Sequence, residues 1–170
     1  DGTLNLSSMT LAYKAKLSLV IDNARITGNT PIFNITGTAD IAANTVLTPI
    51  FGQFSNQSFT LRVLNAGTLN LGGSLDAMLN ADSPYIYDIN LVQPNANAID
   101  LTLDVKTASE LGLNTRQAGA YSAVLDLMTE DDDLGAAVTS IPGANEFLRG
   151  WADLLPGSDA AVMKVLASNA

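Results

Sequence analysis

One stretch, from Ile99 to Val105, constrains the fold more than any other part of this sequence. Its apolar residues (Ile, Leu, Leu, Val) alternate with polar ones (Asp, Thr, Asp). Side chains along a β-strand point alternately to opposite faces. The stretch therefore predicts a strand that buries one face and exposes the other to water.

Shorter runs of the same kind precede it along the first part of the chain. The breaks between them are rich in Asn, Gly, Asp and Ser, which tolerate tight or left-handed turns. Pro49 cannot donate a backbone hydrogen bond, so its run is predicted to be a strand end or an edge. The predicted strands are Leu4–Leu6, Leu17–Ile21, Phe33–Ile35, Ala39–Ile41, Leu47–Phe51, Phe59–Val63, Leu69–Leu71, Tyr85–Leu91 and Ile99–Val105.

Many short strands without intervening helices leave two architectures, a β-sandwich and a parallel β-helix. Strands rich in Leu and Ile, corners rich in Asn, and the lack of tight Asn-Gly hairpins favour the parallel β-helix. With roughly 20–30 residues per coil, the region would hold about four or five coils. We therefore expect a mainly β fold for residues 1–107.

After Lys106 the spacing of apolar residues becomes helical, which predicts a second region over residues 108–170. Asn114 or Thr115 can cap a helix that continues through Met128. Further short amphipathic helices are expected, and each is too short to be stable alone. They are marked by the apolar sets Leu134, Val138 and Ile141, then Phe147, Trp151 and Leu154, then Val162, Val165 and Leu166 after a cap at Ser158.

The composition excludes several classes of function. The chain has no Cys and no His, so a thiol nucleophile, a thiolate zinc site and a Ser-His-Asp triad are all impossible. Its net charge of −9, with only eight Lys and Arg, argues against nucleic acid and anionic membranes as partners. Because the sequence begins within strand-like residues, we expect it to be part of a longer protein.

Four groups of residues are candidates for a site, and none is predicted to be catalytic, cofactor-binding or metal-binding. The run from Glu130 to Asp133 lacks the spacing of a calcium loop and suits a solvated helix start. Tyr85 and Tyr87 suit a packed core better than a sugar-stacking platform, and Trp151 with Phe147 suits helix packing. Catalysis in a β-helix would need paired carboxylates or a basic residue in a cleft. The available carboxylates are Asp22, Asp40, Asp76, Asp88, Asp100 and Asp104, and no recognisable motif pairs them with Arg or Lys.

The order of several motifs resembles a known family. They are GTADIAANTVLTP from Gly37, FTLRVLNA from Phe59, YIYDINL from Tyr85, NAIDLTLDV from Asn97 and NTRQA from Asn114. In this order they look like the C-terminal end of a bacterial autotransporter passenger, of the type V secretion family. The resemblance covers the chain from about Gly37 to its end. Ala43-Asn44-Thr45 departs from the Pro-Gly-Ala-like corner that is common in the family.

This resemblance implies a right-handed parallel β-helix that ends in an autochaperone region and a helical junction. It implies a non-catalytic structural segment, displayed on the bacterial cell surface, that nucleates and caps folding during secretion. The partners would be the rest of the passenger and an outer-membrane barrel, both absent from this sequence. An adhesin-type binding module for a glycan or a host protein is the alternative. No cofactor is expected.

Overall fold

The computed structural model describes residues 2–21, 30–79 and 83–154 of the chain. Eight strands come first, with a single 3-10 turn, Asp76–Met78, between the sixth and the seventh. The strands are β1 (Leu4–Leu6), β2 (Met9–Leu11), β3 (Lys16–Ile21), β4 (Phe33–Ile41), β5 (Val46–Phe51), β6 (Phe59–Leu71), β7 (Tyr87–Val92) and β8 (Ala98–Val105). The helices that follow are α1 (Thr115–Gly119), α2 (Tyr121–Glu130), α3 (Asp132–Thr139) and α4 (Ala144–Leu154).

Most strands lie in one mixed sheet with the order β1-β4-β6-β8-β7, in which β2 also pairs with β4. The contacts of β4 with β1, β2 and β6 are parallel, whereas β8 pairs antiparallel with both β6 and β7. A separate sheet consists of β3 and β5 in parallel. The molecule therefore combines parallel pairing, antiparallel pairing and helices.

The predicted mainly β, right-handed parallel β-helix is therefore wrong, and the chain adopts a mixed α/β fold. The reason lies in the short connection between β7 and β8, from Gln93 to Asn97. A parallel neighbour requires a crossover of a dozen or more residues, whereas a short turn can return only to an antiparallel neighbour. The pairing direction changes there, and the four helices found in the described residues follow.

Part of the parallel pairing repeats with a step of 30 residues, beyond a register shift in β4 between Ile35 and Thr38. Thr10 pairs with Asp40, and Asp40 pairs with Asn70, which is 30 residues further along the chain. The corners after β2 and β4 also correspond, because Lys14 and Asn44 both adopt the left-handed conformation, with φ of 62° and 58°. Each of these strand-corner-strand segments thus leaves the larger sheet and enters the smaller one in the same way.

Two glycines allow the parallel strands to approach closely. A Cβ on Gly37 would lie 2.5 Å from the carbonyl oxygen of Ser7, and a Cβ on Gly67 would lie 2.6 Å from that of Thr36. Both positions were read from the sequence as breaks between strands. In the structure β4 runs through Gly37 and β6 runs through Gly67, so four predicted strands merge into two.

Other sequence predictions are corrected in detail. β2 was not predicted, and β7 begins at Tyr87 instead of Tyr85. The helix expected from Asn114 through Met128 is divided into α1 and α2 at Ala120, although Asn114 does cap α1, as predicted. The helix expected after Ser158 lies outside the described residues. The proposed boundary near residue 107 stays a prediction.

The core lies between the sheets and against the helices. The buried face of β8 contributes Ile99, Leu101 and Leu103, each with 0% exposure. The helices reach this core through Val124, Met128, Val138, Phe147 and Trp151. The alternation that predicted β8 therefore places its apolar residues in the core of the molecule.

We expect Gly67→Ala to lower the free energy of unfolding by about 1–3 kcal/mol, because the added methyl group would overlap the backbone of β4. Urea unfolding followed by circular dichroism measures the change. Gly119→Ala is the control, since a Cβ there meets nothing within 4 Å. Equal stability of the Gly67→Ala variant and the parent chain would show that the close approach does not constrain the sheet.

Candidate functional site

The strands and the helices meet at a cluster of aromatic side chains, here called the aromatic junction and composed of Tyr85, Lys106, Tyr121, Phe147 and Trp151. Phe147 lies between Tyr85 and Trp151, with ring centroids 5.5 and 5.4 Å away. Tyr121 contacts Trp151 at 5.6 Å. Phe147 and Trp151 are both 1% exposed, which confirms the prediction that they anchor helix packing.

Polar contacts fix the strand side of the aromatic junction. The Lys106 ammonium donates to the Tyr85 carbonyl oxygen at 2.8 Å and lies 4.2 Å from the centroid of the Tyr85 ring. The Tyr121 hydroxyl donates to the Lys106 carbonyl oxygen, and burial raises the pKa of that hydroxyl. The Tyr85 amide donates to the Ile141 carbonyl oxygen at 2.7 Å. The end of β8, the residues before β7, and the helices are thus joined directly.

Tyr87 anchors the loop between β5 and β6. Its hydroxyl donates to the Ser55 carbonyl oxygen at 3.0 Å and accepts from the Ser55 amide at 2.9 Å. Its ring stacks on Phe54 and contacts Phe51, with centroids 5.8 and 5.2 Å away. Burial raises the pKa of Tyr87 strongly, so the hydroxyl stays protonated. Tyr87 is therefore a core residue, as predicted, and offers no surface for a sugar.

The candidate carboxylates lie at several separate places. Asp100 is buried and pairs with Arg62, which lies opposite it on β6. The Arg62 Nε atom donates to Asp100 Oδ1, and the Arg62 Nη2 atom donates to Asp100 Oδ2 at 3.4 Å. Asp88 and Asp104 face each other across β7 and β8, and both are exposed. Asp40 accepts from Asn70 at 2.7 Å. Asp76 lies in the 3-10 turn, and Asp22 lies outside the described residues.

The sequence reasoning missed the Arg62–Asp100 pair. Both residues occupy polar positions of alternating strands, so each could be placed on an outward face. Their contact depends on β6 lying beside β8, and alternation within a strand carries no information about its neighbours. Within the described residues, no three acidic side chains are grouped so that they could hold a metal ion.

The acidic run begins a helix, as predicted, except for Glu130, which is the last residue of α2. The Asp131 carboxylate accepts from the Leu134 amide at 3.0 Å and caps α3, while Asp132 and Asp133 lie in the first turn. Carboxylates at this position interact favourably with the positive end of the helix dipole. Helix capping accounts for these carboxylates without a ligand.

A groove of about 160 Å³ lies between α3 and α4. Its lining is almost entirely apolar, and Trp151 forms part of it. The Trp151 Nε1 atom is buried without a hydrogen-bond partner among the described residues. The lining residues are Leu134, Ala137, Val138, Ile141, Phe147, Gly150, Trp151 and Leu154.

Strands at both ends of the larger sheet are paired on one edge alone in the described part of the chain: β7 at one end, and β1 and β2 at the other. Among the described residues, β1 and β2 contact β4, and β3 contacts β5, but no strand pairs with their outer edges. We call these three outer edges the open edge. Leu6 and Leu11 are half-buried, whereas their neighbours on β4, Ile35 and Ile41, are 1% and 3% exposed. The apolar rows of the core therefore end partly uncovered at the open edge.

Comparisons of the chain with protein-family models, with curated proteins and with solved structures give no match. The resemblance to autotransporter passengers therefore stays a prediction from the motifs. None of the helices in the described part of the chain has both the length and the apolar character that are needed to cross a membrane.

We expect Tyr87→Phe to lower the free energy of unfolding by about 1–3 kcal/mol, because it leaves the Ser55 amide and carbonyl without their partner. Thermal unfolding measures the loss. Tyr13→Phe is the matched control, since the Tyr13 side chain is 61% exposed. Equal losses in the two variants would contradict the anchoring role of Tyr87.

Glu110 offers a second test, by titration. The amide and the hydroxyl of Thr107 both donate to Glu110 Oε2 at 2.8 Å, and these bonds hold the pKa of Glu110 below its ordinary value of 4.5. The contact therefore stabilises the turn above pH 4.5, and this contribution is lost as the pH falls through the lowered pKa. Carboxyl-carbon NMR should show a lower midpoint in the folded chain than in urea. Coincident midpoints would contradict the contact.

Proposed function

We propose that this chain is a non-catalytic structural segment that closes one end of a longer, strand-built passenger displayed on a bacterial cell surface. The observation that carries the proposal is the difference between the two sides of the sheet. One side ends in the antiparallel β7–β8 pair and the helices. The other ends in the open edge, where apolar rows are partly uncovered and, within the described residues, no further strand pairs.

The closed side supports an end role through its connections. The aromatic junction ties Tyr85 and Lys106, which flank the β7–β8 pair, to Tyr121 on α2 and Phe147 on α4. Covering a strand edge with a helix is one way in which proteins prevent further pairing, and the contacts here tie the helices to the residues that flank β7 and β8. The helices are too short to be stable alone, so their stability and that of the strands should depend on each other.

The open edge supports the expectation of further partners. Unpaired backbone groups along a strand are a template for another strand, and partly covered apolar side chains gain free energy when a neighbour covers them. Leu4 is 51% exposed although its partner Phe33 lies against the core. The rest of the passenger is the partner that the motif resemblance implies.

The alternative, an adhesin-type binding module, would need exposed aromatic side chains on one face. Tyr87 is 3% exposed and holds Ser55, and Tyr85 packs against Phe147 and Lys106. The two tyrosines that could have formed a glycan platform are therefore used inside the fold.

The end role predicts that weakening the aromatic junction destabilises the strands as well as the helices. We expect Trp151→Ala to lower the free energy of unfolding by about 3–5 kcal/mol, since the ring is almost fully buried. Hydrogen exchange should then quicken at the amides of Leu61 and Leu101. Leu127→Ala is the control, because Leu127 is 49% exposed on α2.

Faster exchange confined to the helices, with the amides of β6 and β8 unchanged, would show that the helices do not close the strand region. The cellular part of the proposal has its own test. An antibody against this chain should label intact cells of the source organism without permeabilisation. Labelling that requires permeabilised cells would contradict display on the surface.

A further inference from the structure

We propose that Asn56 is a glycosylation site, at which the side-chain amide takes a sugar from a phosphate-linked sugar donor. Asn56 lies in the loop of residues 52–58, which joins β5 to β6. Modification there does not require that the chain closes a longer array, so the site goes beyond the proposed function and does not depend on it.

Three Asn-x-Ser/Thr sequons occur in the sequence, and they begin at Asn5, Asn34 and Asn56. This pattern marks asparagines whose side-chain amide can be glycosylated where the segment lies on the surface of a protein. The pattern is short and the chain is rich in asparagine, so the sequence by itself does not distinguish the three. The surroundings of each sequon in the fold do.

The sequon at Asn34 is held within the sheet. Asn34 lies on β4 between β1 and β6, where it pairs with Asn5 and Asn65. Its Nδ2 atom, which would take the sugar, donates to Asn5 Oδ1 at 2.9 Å, and the Thr36 hydroxyl donates to the Leu6 carbonyl oxygen at 3.4 Å. A transferase would have to break these bonds and lift a strand that is paired on both edges.

The sequon at Asn5 is held at both of its ends. Asn5 lies on β1, and its Oδ1 atom accepts from Asn34. The carbonyl oxygen of Ser7 accepts from the Gly37 amide at 2.9 Å. The backbone of this sequon is therefore bonded to β4 and cannot enter an enzyme without leaving the sheet.

The sequon at Asn56 lies outside the strands, and its residues Asn56, Gln57 and Ser58 are all exposed. Among the described residues, the Ser58 hydroxyl has no hydrogen-bond partner. The Asn56 Nδ2 atom contacts Asp126 Oδ1 of α2 at 3.5 Å, which is longer than an ordinary hydrogen bond, and this contact is exposed to water. Both chemical groups of the sequon are thus accessible in the folded chain.

The base of the loop is fixed beside the exposed sequon. The Phe54 ring is 4% exposed and stacks on Tyr87, whose hydroxyl bonds to both the amide and the carbonyl oxygen of Ser55. The Ser55 hydroxyl then accepts from the Gln57 amide at 3.3 Å and donates to the Gln57 carbonyl oxygen at 3.2 Å. The fold therefore holds this sequon on the surface, where a transferase can reach it without unfolding the strands.

The transfer forms a bond between Asn56 Nδ2 and the anomeric carbon of the sugar. The bond between that carbon and the phosphate oxygen of the donor breaks, and the phosphate leaves with the electron pair. Nδ2 loses one proton to a base of the transferase and keeps the other. The remaining N–H still allows Nδ2 to contact Asp126, so the modified side chain suits the folded chain.

The experiment uses the protein isolated from cells of the source organism, digested with chymotrypsin and measured by mass spectrometry. Cleavage after Phe54 and Phe59 separates Asn56 from the other two sequons. We expect the peptide of residues 55–59 to carry the mass of one or more sugar residues, located on Asn56 by fragmentation. The peptide that contains Asn95 is the internal control, because Asn95 is exposed in a turn but has no hydroxyl residue two positions later.

Variants produced in the same organism test the role of the sequon. Ser58→Ala and Asn56→Gln should both lose the sugar, whereas Ser58→Thr should keep it, and all three should retain the circular dichroism spectrum of the parent chain. An unmodified Asn56 in the parent, or a sugar that persists in Ser58→Ala, would overturn the assignment. Equal modification of Asn34 and Asn56 would show that the fold does not select the site. Each of these results would leave the proposed end role unchanged.

Discussion

The structure depends on β6 pairing with neighbours of opposite direction on its two edges. The first part of this strand pairs antiparallel with β8, from Phe59 to Asn65, and the second part pairs parallel with β4, from Leu64 to Leu71. The two ladders overlap at Leu64 and Asn65. Every other strand of the larger sheet is attached through one of these two ladders, so a shift of β6 would displace both halves.

Since the two halves of β6 hold different partners, the molecule has two unlike sides. The antiparallel half leads through β8 to β7, and from there to the aromatic junction and the helices. The parallel half leads through β4 to β1 and β2, whose outer edges have no partner among the described residues. The two ends of the sheet therefore differ in pairing direction and in their contacts with the helices.

The sequence predicted the local structure well, because strands and helices depend on the spacing of apolar residues and on capping residues. Alternation placed Ile99, Leu101 and Leu103 on a buried face, and the polar residues before a helical stretch gave Asn114 and Thr115 as possible caps, of which Asn114 is the cap in the structure. The alternation of apolar and polar residues did not predict the direction of strand pairing, because it is the same in parallel and antiparallel strands. The usable signal was the short connection after Val92, whose length permits only an antiparallel return.

The roles of two glycines, a left-handed lysine and a partly buried ion pair could not be predicted from one sequence, and each has a physical reason. Gly37 and Gly67 were interpreted as turn residues, since glycine favours turns, but here glycine serves the close approach of strands within a sheet. The left-handed corner at Asn44 suits asparagine, whereas lysine at the matching corner, Lys14, gives no such signal. The Arg62–Asp100 contact required knowledge of which strands are neighbours.

Side-chain hydrogen bonds between the parallel strands all run in the same direction, from the later strand to the earlier one. The Asn34 amide group donates to Asn5 at 2.9 Å, and the Asn70 amide group donates to Asp40 at 2.7 Å, so each donor points toward the earlier strand. Exposed hydrogen bonds of this kind each contribute at most about 1 kcal/mol to stability. Their value is in register, because a strand displaced by one residue would turn these side chains to the opposite face. Apolar rows therefore supply the free energy of pairing, and the amide ladders select which residue lies beside which.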